Sequence, residues 1–356
     1  MTTILTMESK PKMRAFLLYG EKDLRARDMD LPVVSPGHVM LRVKRAGICG
    51  SDMHYYSHGR IGSFVPKRPF VLGHEFAGEV VSIGDGVSPS MIGQRVTVDP
   101  SIPCGECKFC LGGRYNLCRN MRFYGSASCD PHIDGGFAEY TNAPAKNCLI
   151  VPDSLGWGEA AMIEPLSVVV HAARRAGNIA CRRVLVTGGG AIGQLMALVA
   201  RTFGASQVVM SDIAEFPRQL AIKLGADAAL DANDVDFEAQ ATTLSQGGFD
   251  FVFEASGSAK ALSQAIAAAE RGSTIVQVGT LPTPATAPLN SIMAKELNFI
   301  GSFRFANVFA TALDLAVSRR VNLSALISAV LPLIDMQKAM NLAIGKREVV
   351  KIQIEP

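Results

Sequence analysis

Val184-Leu185-Val186-Thr187-Gly188-Gly189-Gly190-Ala191-Ile192-Gly193 carries an uncharged, β-branched run straight into a G-x-G-x-x-G turn, and helical apolar spacing continues through 192–202. A glycine triad in that strand-turn-helix setting is built for a dinucleotide. Gly188 permits the tight turn, Gly190 lets the backbone approach a pyrophosphate, and Gly193 allows close helix–sheet packing, while the helix N-terminus faces the phosphates. Further short apolar runs at 208–210, 251–253 and 275–278 alternate with helical stretches at 217–224 and 259–269. The region therefore reads as α/β, a doubly wound parallel sheet of the Rossmann kind. Asp212 stands nineteen residues after Gly193, at the end of the next strand. A carboxylate there can bond the ribose hydroxyls and repel a 2′-phosphate, which favours NAD over NADP, although it could also cap the following helix. Arg218 lies close enough to soften the preference.

Outward from this unit the texture changes. Residues 14–146 are rich in Gly and Pro, with short β-branched runs at 39–43, 79–83 and 95–98, as in an irregular all-β domain. Beyond Phe305 come a helix-like stretch at 309–318 and strand-like runs at 327–331 and 349–354, whose allegiance composition leaves open. A length of 356 residues favours two domains. The net charge of +3 contains no long basic run, which argues against nucleic acid and for a small-molecule partner. The most apolar run, 160–173, is interrupted by Glu164, Pro165 and His171, so no membrane span is expected. Residues 1–13 do not resemble a signal peptide, and a cytoplasmic, reducing setting is expected.

Cys104, Cys107, Cys110 and Cys118 follow C-x2-C-x2-C-x7-C, while Cys129, Cys148 and Cys181 have no metal-like spacing. Four thiolates so spaced can wrap one tetrahedral zinc, with Gly105, Gly112 and Gly113 easing the loop; a disulfide pair or a chance cluster fits the spacing less well. Such a closed site is structural. A second constellation is Cys49, His74-Glu75 and the later Glu164. Each alone would pass as a packed or capped residue, but together with a dinucleotide fold they suggest an open, Lewis-acidic metal site.

In this order, Gly47-Ile48-Cys49-Gly50-Ser51-Asp52, Gly73-His74-Glu75, the cysteine lobe, Glu164-Pro165-Leu166-Ser167 and the glycine turn resemble the zinc-dependent medium-chain alcohol and polyol dehydrogenases over nearly the whole chain, the sorbitol dehydrogenase branch above all. The resemblance implies a GroES-like catalytic domain made of 1–167, with 1–12 a flexible tail, and of 306–356, around a Rossmann domain at 168–305. It implies two zinc ions per chain. Cys49, His74 and Glu75 would hold the catalytic one, Glu164 reaching it directly or through water. Tyr55 would face substrate, and Ser302, Phe303 and Arg304 both nicotinamide and substrate; Ile192, Val278, Gly279 and Thr280 complete the expected cofactor contacts. A homotetramer is also implied. Two positions depart from the branch: Phe305 stands where Tyr is common, removing a hydroxyl, and Pro217 stands where Arg often follows the acidic residue. Segments 51–56, 121–126 and 301–305 are most similar to members acting on aldonates such as L-idonate, with sorbitol- or xylitol-type polyols and L-threonine as alternatives.

The expected chemistry is oxidation of a secondary hydroxyl, made acidic on zinc, with hydride passing to NAD. Ser51 and His54 could relay the proton, and Arg304 or Arg60 could bind a substrate carboxylate. A zinc-independent quinone-reductase-like enzyme would not need Cys49, His74 and Glu75. A non-catalytic nucleotide-binding protein would need only the glycine turn.

Overall fold

The computed structural model describes residues 11–345 and 348–356. Of the expected tail, residues 1–10 lie outside the described residues, and Lys12 already begins the strand Lys12–Gly20, so it is not part of a tail.

Six parallel strands form the dinucleotide-type sheet: β1 (Arg183–Thr187), β2 (Gln207–Asp212), β3 (Ala228–Asp231), β4 (Phe249–Glu254), β5 (Ala269–Gln277) and β6 (Asn298–Gly301). Their order is β3-β2-β1-β4-β5-β6. The order reverses at β1, so the crevice for a ligand opens at the carboxyl ends of β1 and β4. Val184, Val186, Val208 and Met210 bury one face of the sheet against the helices Ile163–Ala176 and Ala191–Thr202, while Leu185, Val209, Val252 and Ile275 bury the other. Alternate residues of each strand thus feed two cores, as a sheet covered on both faces requires. Strands β3 and β6 escape a reading by apolar runs because both are short edges, β3 largely half-buried and β6 mostly exposed.

The second unit is an antiparallel-rich sheet in the order Cys148–Ile150, Arg95–Val98, Glu75–Ile83, His38–Gly47, Lys351–Glu355, Ile327–Pro332, with Tyr140–Pro144 also paired to His38–Gly47. Both C-terminal strands join it, Gln353 lying opposite Gly47. The chain does not switch units cleanly, however. The helix Ile163–Ala176 runs unbroken through the expected boundary at 167/168. Phe309, Ala312 and Ala316 of the helix Phe309–Val317 pack into the core of that helix and the parallel sheet. No described helix is long and apolar enough to cross a membrane.

Candidate active site

Glu75 begins the strand Glu75–Ile83, and its register puts it opposite Gly47. Two residues beyond Gly47, Cys49 caps the helix Gly50–His58, and Gly73 and His74 close the turn before Glu75. The donor atoms of Cys49, His74 and Glu75 all lie within 4.8 Å of one another. A Cβ on Gly47 would fall 2.1 Å from Glu75 Oε2, so the glycine makes room for the carboxylate.

Asp52, not singled out in the sequence, organises these residues. Fully buried, it accepts from the Cys49 N–H at 2.9 Å and the Gly73 N–H at 3.3 Å, and Oδ1 stands 4.0 Å from His74 Nδ1. Burial raises its carboxyl to about 6, against the opposing pull of His74 and the Cys49 N–H. Lys351 is the other unforeseen member. Its ammonium, 3% exposed, donates to both Glu75 oxygens at 2.8 and 2.7 Å and to the Ile48 carbonyl at 3.1 Å. The signal was a lone charge in the otherwise buried stretch Lys351-Ile352-Gln353-Ile354.

Burial, then the Glu75 charge, pushes the Cys49 thiol up to about 12. Glu164, in the first turn of Ile163–Ala176, is pushed up to about 8, by burial first, with His74 opposing and Glu75 and Cys49 adding. A thiol, an imidazole and a carboxylate crowded together away from the surface suit a divalent, zinc-type cation, which favours their deprotonated forms.

Around them, the Tyr55 hydroxyl, 1% exposed, accepts from the Ala127 N–H at 3.0 Å and lies 3.4 Å from Ser126 Oγ. Arg304, at φ 52°, stacks its guanidinium 4.2 Å over the Phe123 ring and 5.0 Å from that of Phe303. Burial lowers it to about 10, opposed by Glu164 and Tyr55. Among the described residues no carboxylate forms an ion pair with it. Ser51 lies against the Cys49 thiol, whereas His54 is exposed, its ring 5.5 Å from that of His58. Arg60 is at the surface, its guanidinium turned to the Gly62 carbonyl. Phe305 is wholly buried and stacked on Phe309, so it reports on packing rather than on a lost pocket hydroxyl.

In the glycine turn, Gly188 sits at φ 90°, Gly190 caps the helix Ala191–Thr202 with open space before it, and Ile192 is half-buried in that helix. A Cβ on Gly193 would lie 1.7 Å from the Gly188 carbonyl oxygen. Gly193→Ala should therefore displace the turn and weaken dinucleotide binding by at least about tenfold, measured by fluorescence titration. Asp212 binds the turn directly: Oδ2 accepts from Gly189 N–H at 2.6 Å and Oδ1 from Ala214 N–H at 2.8 Å. Arg218 is engaged by Asp231 at 2.7 Å and the Asp212 carbonyl at 3.0 Å. Unforeseen again is Glu254, fully buried, which accepts from the Ser256 and Gly257 N–H groups and from Gln277, while its carbonyl accepts from Val278 and Gly279. A Cβ on Gly279 would lie 2.4 Å from the Gly257 N, so Val278, Gly279 and Thr280 are held tightly over the end of β4, and the Ser302 N–H is anchored on the Gln277 carbonyl.

The cysteine lobe is separate. Its sulfur pairs Cys107–Cys110, Cys104–Cys118 and Cys104–Cys110 stand 3.5, 3.5 and 3.9 Å apart. Disulfides are ruled out at such lengths, whereas four sulfurs about 2.3 Å from one zinc would lie about 3.8 Å apart. The lobe is fastened to the Arg304 segment: Asn116 donates to the Phe303 carbonyl, the Asn307 N–H to the Tyr115 hydroxyl and the Asn307 side chain to the Gly113 carbonyl. Cys107→Ser should lower the melting temperature and cost the lobe any zinc it holds while leaving the Cys49, His74 and Glu75 set intact; elemental analysis and a melting curve check it.

Residues 35–153 match the family of the alcohol dehydrogenase GroES-like domain and residues 191–318 that of zinc-binding dehydrogenases. The sorbitol dehydrogenase of Bacillus subtilis (strain 168) is 34% identical over 348 residues, 97% of each chain. The L-idonate 5-dehydrogenase (NAD(P)(+)) of Escherichia coli (strain K12) is also 34% identical, over 96% of this chain and 98% of that one. A crystal structure of a putative zinc-binding dehydrogenase from Sinorhizobium meliloti 1021 bound to NADP superimposes with a TM-score of 0.90 at 34% identity, covering 98% of this chain and 100% of that one. On fold, motif order and full-length similarity, the chain belongs to the zinc-dependent medium-chain alcohol and polyol dehydrogenases, a family of oxidoreductases.

Proposed function

We propose that the protein oxidises a secondary hydroxyl of an aldonate, L-idonate to 5-keto-D-gluconate, reversibly and with NAD. The observation that carries the substrate is Arg304, a half-buried guanidinium stacked on Phe123 with no carboxylate partner among the described residues. A neutral polyol leaves that charge uncompensated; a carboxylate can meet it with two hydrogen bonds. Arg60, engaged at the surface, is the weaker candidate. Tyr55 and Glu164 border the same space and would hold hydroxyls of the sugar chain.

Zinc, when held by Cys49, His74 and Glu75, supplies a Lewis acid that makes the hydroxyl acidic at neutral pH. Asp52 keeps the His74 ring in place, and Lys351 fixes both Glu75 oxygens. Ser51 and then His54 carry the proton outward. NAD is preferred because Asp212 presents a carboxylate at the end of β2 while Arg218 is spent on Asp231. The NADP-bound neighbour from S. meliloti makes the cofactor comparison part of the test. A homotetramer and a cytoplasmic setting complete the reading; all eight cysteines are free, as a reducing compartment requires.

Steady-state rates with L-idonate, sorbitol, xylitol and L-threonine, each with NAD and NADP, test it. The highest kcat/KM is expected for L-idonate with NAD. Arg304→Gln should raise KM for L-idonate by about tenfold to a hundredfold and affect xylitol less. A wild-type preference for sorbitol would reject the aldonate.

A further inference from the structure

Beyond the active site, a cavity of about 290 Å³ opens between the cysteine lobe, the end of the helix Ile163–Ala176 and the chain after β6. Its walls include Arg114 of the lobe and His171 and Arg175 of the helix, with no Asp or Glu among its lining residues. Arg175 Nε donates to the Gly301 carbonyl at 2.6 Å. Among the described residues neither the terminal amino groups of Arg175 nor the Arg114 guanidinium has a hydrogen-bond or carboxylate partner. Adjacent Arg174 is bound to the Asn307 carbonyl and Thr311 Oγ1, both at 3.0 Å. His171 Nε2 is buried and unpartnered. Burial first, then Arg175, Arg174 and Arg114, hold the ring below its ordinary pKa.

We propose that this cavity is an anion site for a tetrahedral oxyanion of the phosphate class, bound by Arg114, Arg175 and His171. Arg114 and Arg175, both exposed at the mouth of the cavity, converge with half-buried His171 without a counter-charge, so an anion there would meet two guanidinium groups and a ring nitrogen. Guanidinium forks match phosphate oxygens, and the space suits a small anion rather than a dinucleotide. The site is distinct from the one expected for dinucleotide phosphates, since none of the turn glycines lines it; Phe303 is the one lining residue also proposed to face the cofactor. A bound anion would bridge the lobe to the helix Ile163–Ala176, whose Arg175 in turn holds the Gly301 carbonyl of the segment leading to Arg304, adding to the bonds from Asn116 and Asn307. Lobe order and phosphate occupancy should therefore be linked.

The test uses the zinc-loaded enzyme saturated with NAD, so that the glycine turn is occupied. Inorganic phosphate, at ionic strength balanced with chloride, should raise the melting temperature saturably in the wild type. In Arg114→Gln and in Arg175→Gln its affinity should fall by at least about tenfold, with the phosphate-free dehydrogenase rate unchanged. Phosphate should also move the His171 ring nitrogen resonances toward the protonated pattern, in the wild type alone. No saturable effect of phosphate, or an effect that survives in the Arg114→Gln/Arg175→Gln double variant, overturns the proposal.

Discussion

His74→Ala is expected to leave a folded protein with one zinc fewer per chain and turnover lower by about a thousandfold or more. The imidazole is 7% exposed, lies beside Asp52 and meets the Phe123 ring at 5.5 Å, so it is a positioned group rather than a surface one. Its loss takes one of three donors from a set that also contains Cys49 and Glu75. Two remaining protein ligands are too few for an open zinc site. The cysteine lobe shares no residue with this set and should keep its ion. Zinc per chain, kcat and a melting curve measured together separate this outcome from unfolding. Retained turnover would reject the open-metal mechanism.

Lys351→Met should be the second large effect, and it should depend on zinc. In the metal-free chain the substitution strands the Glu75 carboxylate, 1% exposed, beside Cys49 and Glu164. Removing one partner of such a pair costs about 3–5 kcal/mol, whereas an exposed pair such as Lys12–Asp30 contributes about 1 kcal/mol or less. Zinc gives Glu75 another counter-charge, so the deficit relative to wild type should narrow in the loaded protein. The double variant Glu75→Gln/Lys351→Met should lose less than Lys351→Met when both are metal-free. Urea unfolding of both forms measures this. Equal metal-free stability of Lys351→Met and wild type would show that the pair does not hold the site together.

Much of this fold is legible because its signals are local. The run 184–193 announces strand, turn and helix within ten residues, and β1, β2 and β4, buried on both faces, each carry an unbroken apolar run. Edge strands β3 and β6 carry no such run. The cysteine lobe is legible from spacing, since its ligands are neighbours in the chain. Cys49, His74, Glu75 and Glu164 stand out as ligand types in a dinucleotide fold, but the choice of ligands among them needed the family resemblance, because only the pairing of Gly47 with Glu75 brings the first three together. Asp52, Glu254 and Lys351 were missed for another reason. Each is a charge whose burial is set by tertiary packing, and the partner of Lys351 is remote as well: it lies 276 positions from Glu75, and no periodicity spans that gap. Phe305 was over-read, as its place in the motif suggested a pocket while its ring packs on Phe309.

Chelator titration of the wild-type enzyme, with zinc per chain, L-idonate-dependent NADH production and circular dichroism followed on the same samples, tests the central claim most directly. Two zinc ions per chain are expected at the start. Turnover should fall in proportion to the loss of one of them while the fold persists, and should return when zinc is restored. Full turnover after that ion has left, or loss of turnover only as the chain unfolds, would contradict a hydride-transfer site built on Cys49, His74 and Glu75.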